Sequence, residues 1–194
     1  MILFFDTETT GIPNYRLTSS HEAQPRCVQL AAILMESSGV ERASMNVMIR
    51  PEGWTIPQGA ADVHGITTTL AEMCGIREVV AAAAFYDLTQ RTNLLVAHNI
   101  KFDLQIVSTM YARAERKWHL PSGRVCTMEK VAPLVNLPPT ERMRAAGIDK
   151  PKAPSLSECY RRFFGEELIG AHDALVDVRA CARIFFHIRN GAAS

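Results

Sequence analysis

Ile2-Leu3-Phe4-Phe5-Asp6-Thr7-Glu8-Thr9-Thr10-Gly11 opens the chain almost at its first residue. Four apolar side chains in a row stop at Asp6, a pattern that predicts a short buried strand. Side chains alternate along an extended backbone, so Asp6 and Glu8 point to the same face. Two carboxylates side by side at the end of a buried strand repel each other. A hard divalent cation, which prefers oxygen donors, offsets both charges. The competing reading of the pair is a strand end bathed in solvent.

The rest of the fold follows outward from that strand. Gly11, Pro13 and Asn14 break it, and residues 12–26, with Tyr15, Arg16 and His21, make a longer connection than a tight turn needs. This connection follows Glu8 directly, so it either shapes a cleft there or only covers the sheet. Residues 28–35 and 43–50 predict two further strands joined by Ser37-Ser38-Gly39, giving a meander with the first strand. After a loop over 51–57, Thr67 is expected to cap a helix and 78–91 to form another. Residues 93–97 predict a strand ended by His98-Asn99. Residues 102–116 predict a helix with Leu104, Val107, Met110 and Tyr111 on one face. A short strand over 124–127 leads into a helix to about Leu134, and 136–154, rich in proline and charge, is expected to be irregular. Ser155 and Glu158 form a capping box that opens a helix to Phe163. Asp173 caps the last helix, whose apolar stripe is Val178, Cys181, Ala182, Phe185 and Ile188. Strands first, then strands alternating with helices, predict an α/β fold with a mixed β-sheet flanked by helices. The expected organisation is a single domain over 1–194, its core running from about 2 to 189.

The 194 residues, 47% apolar and 21% charged, match an ordinary globular chain and exclude disordered and fibrous classes. A formal net charge of +1 excludes a protein that grips nucleic acid by bulk charge. Cys27, Cys74, Cys126, Cys159 and Cys181 are scattered, odd in number and form no C-x-x-C pair, which predicts reduced thiols rather than a zinc site. The opening apolar run is too short for a signal peptide. No run approaches the roughly 20 apolar residues of a membrane span. The expected location is cytoplasmic, with no membrane partner.

Three further stretches bear on chemistry. In His98-Asn99-Ile100-Lys101-Phe102-Asp103 an acid sits at the start of a helix, which the helix dipole alone would favour. In His172-Asp173-Ala174-Leu175-Val176-Asp177, Asp177 lies one turn beyond the cap beside the apolar stripe, and His172 sits on the loop before it. Val63-His64-Gly65-Ile66 reads by itself as a turn before a helix. Taken together, D-x-E-T-T-G, V-H-G-I, H-N-x-x-F-D and H-D-A-x-x-D, in this order, resemble the DEDD exonucleases, in the branch whose last motif carries histidine (DEDDh). They are similar to the proofreading epsilon subunits of bacterial DNA polymerase III and their phage-encoded counterparts. The resemblance covers residues 6 to about 188.

That resemblance implies a ribonuclease-H-like fold and a 3′→5′ exonuclease releasing nucleoside 5′-monophosphates. It implies that Asp6, Glu8, Asp103 and Asp177 hold two Mg²⁺ ions, with Mn²⁺ able to substitute, and that His172 is the general base. Thr9, Val63, His64, Asn99 and Phe102 match positions that line the pocket for the terminal nucleotide, with a core position as the alternative for Phe102. An imidazole base implies activity that rises between about pH 6 and 8. The expected partner is DNA with a free 3′ end. RNA is the alternative substrate, and a non-catalytic nucleic-acid-binding or polymerase-binding module is the rival from another class. A polymerase or replication partner has no signal of its own, and the residues beyond Arg189 are expected to carry no docking tail. Arg142, Arg144, Lys150 and Lys152 either touch substrate phosphates or form a solvated loop.

Overall fold

The first strand does not stop at Asp6. β1 (Ile2–Thr9) runs on through both acids, pairs antiparallel with β2 (Cys27–Met35) and parallel with β4 (Leu94–Ala97). A strand with partners on both edges and helices on both faces has few solvent-facing positions, which is why its apolar run is continuous. β2 pairs antiparallel with β3 (Glu41–Met48), and β4 pairs parallel with β5 (Gly123–Cys126). The order β3-β2-β1-β4-β5 is the expected mixed sheet, with β1 at its centre. This computed structural model describes residues 1–191; the last three residues of the stretch beyond Arg189 lie outside the described residues.

Eight helices complete the described chain: α1 (Gln58–His64), α2 (Thr68–Cys74), α3 (Glu78–Thr89), α4 (Ile100–Arg113), α5 (Thr127–Val135), α6 (Glu141–Ala145), α7 (Leu156–Phe164) and α8 (Ala174–Gly191). The two-residue alternation of β1 decides the layers. Leu3 and Phe5 pack with Phe85 of α3 and with Ile106 and Met110 of α4. Ile2 and Phe4 pack with Val178, Cys181 and Phe185 of α8 on the opposite face. Ring contacts mark both layers, Phe5–Phe85 at 5.2 Å and Phe4–Phe185 at 5.3 Å between centroids. Each such buried ring contributes roughly 2–3 kcal/mol of apolar burial. By the same alternation Asp6 and Glu8 fall on the α8 side, and Thr7 on the α4 side.

The expected stripes are buried at Val107, Met110 and Tyr111 of α4 and at Val178, Cys181, Ala182 and Phe185 of α8, while Leu104 and Ile188 are half-buried. Two short helices depart from expectation. α1 takes in Val63 and His64 of the V-H-G-I stretch and ends on Gly65, whose φ of 74° is left-handed and suits glycine. α6 lies inside the segment expected to be irregular, capped by Thr140, whose Oγ1 accepts from Met143 N–H at 3.2 Å. Helices of seven and five residues are too short to show a 3.6-residue period, so pattern reading passes over them. All five cysteines are free, and Cys74 is exposed. Among the described residues no helix is long and apolar enough to cross a membrane.

Candidate active site

The C-terminal ends of β1 and β4 open into a cleft of about 750 Å³ whose lining includes Asp6, Glu8, Asp103, Asp177 and His172. Asp6 and Glu8 come from β1, while Asp103 and Asp177 stand in the first turns of α4 and α8. Asp103 approaches from the opposite helix layer, and Thr7 holds it there. Its Oδ1 accepts from Thr7 N–H at 3.0 Å and from Thr7 Oγ1–H at 2.8 Å. Asp177 Oδ2 accepts from His172 N–H at 3.1 Å, and its Oδ1 is buried with no protein partner. Donor atoms of Glu8, His172 and Asp177 lie within 4.8 Å of one another.

Asp173 is the cap it was expected to be. Its Oδ1 accepts from Leu175 and Val176 N–H at 3.0 and 3.1 Å. Gln29, opposite Glu8 on β2, donates to Asp173 Oδ2 at 3.2 Å and accepts from Ala174 N–H at 3.1 Å. This staples the start of α8 to the sheet and so places Asp177 beside Glu8. Sequence reading singled out neither Thr7 nor Gln29. Their partners lie 96 and about 145 residues away, and the only advance signal was that Thr7, between two acids, must face the other layer.

The electrostatics record the crowding. Burial raises the pKa of Asp6 well above the ordinary carboxylate range, and the charges of Asp103, Asp177, Glu8 and Asp173 push the same way. Burial, then Asp177 and Asp103, lifts Glu8 to about 8. Burial lifts Asp177 to about 6 against the opposing His172 N–H bond, and raises Asp103 against its bonds from Thr7. Four acids destabilised together, one with an orphaned oxygen, form an all-oxygen donor set that fits a hard divalent cation.

The sequence profile of the RNase_T exonucleases matches residues 3–185. The chain belongs to this exonuclease family. No curated protein matches it. The fold of the exonuclease domain is shared with E. coli exonuclease I in complex with a dA16 oligonucleotide, at a TM-score of 0.76 and 22% identity over 97% of this chain and 40% of that one. It is shared likewise with the zinc-bound form of the E. coli exonuclease I–ssDNA complex, at 0.75 and 21% over 99% and 41%. The chain therefore spans about two fifths of the length of those proteins.

Within the exonuclease domain, Thr9, Val63, His64, Asn99 and Phe102 all line the cleft. Phe102 is half-buried, lining the cleft and also packing against the main core. Asn99 and His172 have left-handed backbones, φ 71° and 70°, and both flank the acids. His64 Nδ1 accepts from Ile66 N–H at 3.1 Å, while its buried Nε2 has no well-formed partner. Burial lowers the His64 pKa, the nearby Thr9 backbone opposes this, and the proximity of His172 adds to it. Of the four basic residues expected to touch phosphate or solvent, Lys152 lines the cleft; Arg142, Arg144 and Lys150 are exposed outside it.

Proposed function

We propose that the chain is a metal-dependent 3′→5′ exonuclease of the DEDDh branch, releasing nucleoside 5′-monophosphates from DNA. The observation that supports this most is the convergence of Asp6, Glu8, Asp103 and Asp177, from both helix layers, on one cleft beside His172. A binding module has no physical need for carboxylates that destabilise one another. E. coli exonuclease I, which shares the fold, was crystallised with DNA oligonucleotides, and this favours DNA over RNA.

In this reading Asp6, Glu8, Asp103 and Asp177 would hold two Mg²⁺ ions. When bound, such ions lower the pKa of the attacking water and offset charge on the leaving 3′ oxygen. Thr7 keeps Asp103 from turning away, and Gln29 keeps Asp177 within reach of Glu8. His172 takes the proton of the water as general base. Its fixed N–H bond to Asp177 holds the loop while the exposed ring faces the cleft. Phe102 and His64 bracket the terminal nucleotide without reading its identity, because base stacking tolerates every base.

The test uses 5′-labelled DNA and RNA strands with Mg²⁺. DNA should shorten stepwise from its 3′ end, and Asp6→Ala should lose nearly all turnover. Shortening from the 5′ end, or full turnover in Asp6→Ala, would sink the reading. Faster loss of RNA would transfer it to the RNA substrate.

A further inference from the structure

Among the described residues Lys152 is the one lysine or arginine that lines the cleft, and the titratable groups around the central acids are otherwise carboxylates and imidazoles. A nucleic-acid strand is a polyanion, so an acidic cleft on a chain of net charge +1 needs cationic contacts beyond the catalytic centre.

The segment that bears Lys152 is built to hold still. Pro151 and Pro154 fix their own φ and restrict the residue before each. Lys152 N–H donates to Leu137 O at 3.2 Å, which ties the segment to the chain just beyond α5. His98, at the end of β4, bridges it to the sheet. Nε2 of His98 donates to the Pro154 carbonyl at 3.1 Å, because a carbonyl only accepts. That leaves Nδ1 of the neutral ring to accept from Thr127 Oγ1–H at 3.0 Å. The Lys152 ammonium donates to Glu158 Oε1 at 2.6 Å, while Glu158 Oε2 accepts from Ser155 N–H at 2.8 Å in the capping box of α7. One of three ammonium donors is thus spent on positioning. Lys152 pairs with none of the four central acids, so its head stands more than 4.0 Å from them.

We propose that Lys152 is a substrate-binding residue that donates to a non-bridging phosphate oxygen of the strand lying in the cleft, with Glu158 and the His98–Pro154 bond as its positioning groups. This rests on the exonuclease reading of the cleft. It separates Lys152 from Arg142, Arg144 and Lys150, which the sequence groups with it.

The test measures binding of the full chain to a short fluorescein-labelled oligothymidylate by anisotropy, with Ca²⁺ in place of Mg²⁺, between about 50 and 200 mM salt. Lys152→Ala should make the slope of log affinity against log salt shallower by about 0.7, the loss of one single-strand phosphate contact. Lys152→Arg should keep the slope, and Lys150→Ala should leave it as in wild type. An unchanged slope in Lys152→Ala, an equal loss in Lys150→Ala, or wild-type binding without salt dependence would each overturn the proposal. Hydrolysis of the same strand by wild type with Mg²⁺ separates the two claims. An inert wild type that still loses slope in Lys152→Ala sinks the nuclease reading alone, whereas an active wild type with an unchanged slope in the variant sinks the Lys152 assignment alone.

Discussion

His172 occupies a left-handed backbone conformation that costs a non-glycine residue of order 1 kcal/mol, and its N–H bond to Asp177 compensates. The result is an exposed imidazole beside Glu8 and Asp177. A base and a metal ligand differ in what their removal does. His172→Ala is expected to lower kcat by about 10²- to 10⁴-fold while Mn²⁺ uptake, followed by calorimetry, stays near wild type. An equal collapse of metal affinity would reassign His172 as a ligand. At this scale the D-x-E pair was legible because strand alternation is local. Thr7 was not, because its meaning depends on Asp103 arriving from another layer.

The connection between β1 and β2 behaves as an element in its own right. Buried Gln24 is its hub: Oε1 accepts from Asn14 N–H at 3.1 Å, and Nε2 reaches the carbonyls of Asn14, Leu17 and Thr18 at 2.9 to 3.3 Å. Arg113 of α4 donates to the carbonyls of Gln24 and Pro25, and Gln105 donates to Ser19 Oγ. The segment therefore folds against α4 and gives Gly11 and Ile12 to the cleft wall, so it shapes the cleft rather than only covering the sheet. Gln24→Ala removes the hub and leaves buried backbone groups unpaired, at a cost of about 2 kcal/mol. Urea unfolding should show that loss. KM should rise more than kcat falls, because the wall loosens while the acids stay on β1, α4 and α8.

Across the whole molecule, folding forces the four acids together, and protons or cations must offset the repulsion. Glu8 titrates near 8 in the folded chain against 4.5 when unperturbed, and Asp177 near 6 against 3.8. The folded state therefore binds more protons than the unfolded one between about pH 4 and 8, and stability falls as pH rises through that window. The metal-free chain is expected to be most stable at the acidic end and to lose several degrees of Tm by about pH 8. Added Mg²⁺ or Mn²⁺ should restore most of that loss near pH 8 and little near pH 5, where protons compete for the same oxygens. Scanning calorimetry over pH with EDTA or metal checks this. A metal-free Tm that rises steadily to pH 8 would contradict the convergence of the acids.

What the sequence determined by itself was whatever short-range physics decides. The apolar run of β1, the same-side pair Asp6 and Glu8, the Ser155–Glu158 capping box, the Asp173 cap and the stripes of α4 and α8 all follow from alternation, helical period and cap chemistry. The order of the four motifs pointed to the acids that belong together. Only the tertiary structure decided how they meet. β1 pairs with β4 and exposes opposite faces to α4 and α8, so Asp103 and Asp177 reach one cleft from two layers. It also decided that Lys152 faces that cleft while three neighbouring cations do not, because prolines, a carbonyl bonded to His98 and the Glu158 carboxylate of the α7 capping box orient one lysine and leave the others in solvent. The His98–Pro154 bond joins residues 56 apart in the chain, and no local pattern encodes a pairing of that range.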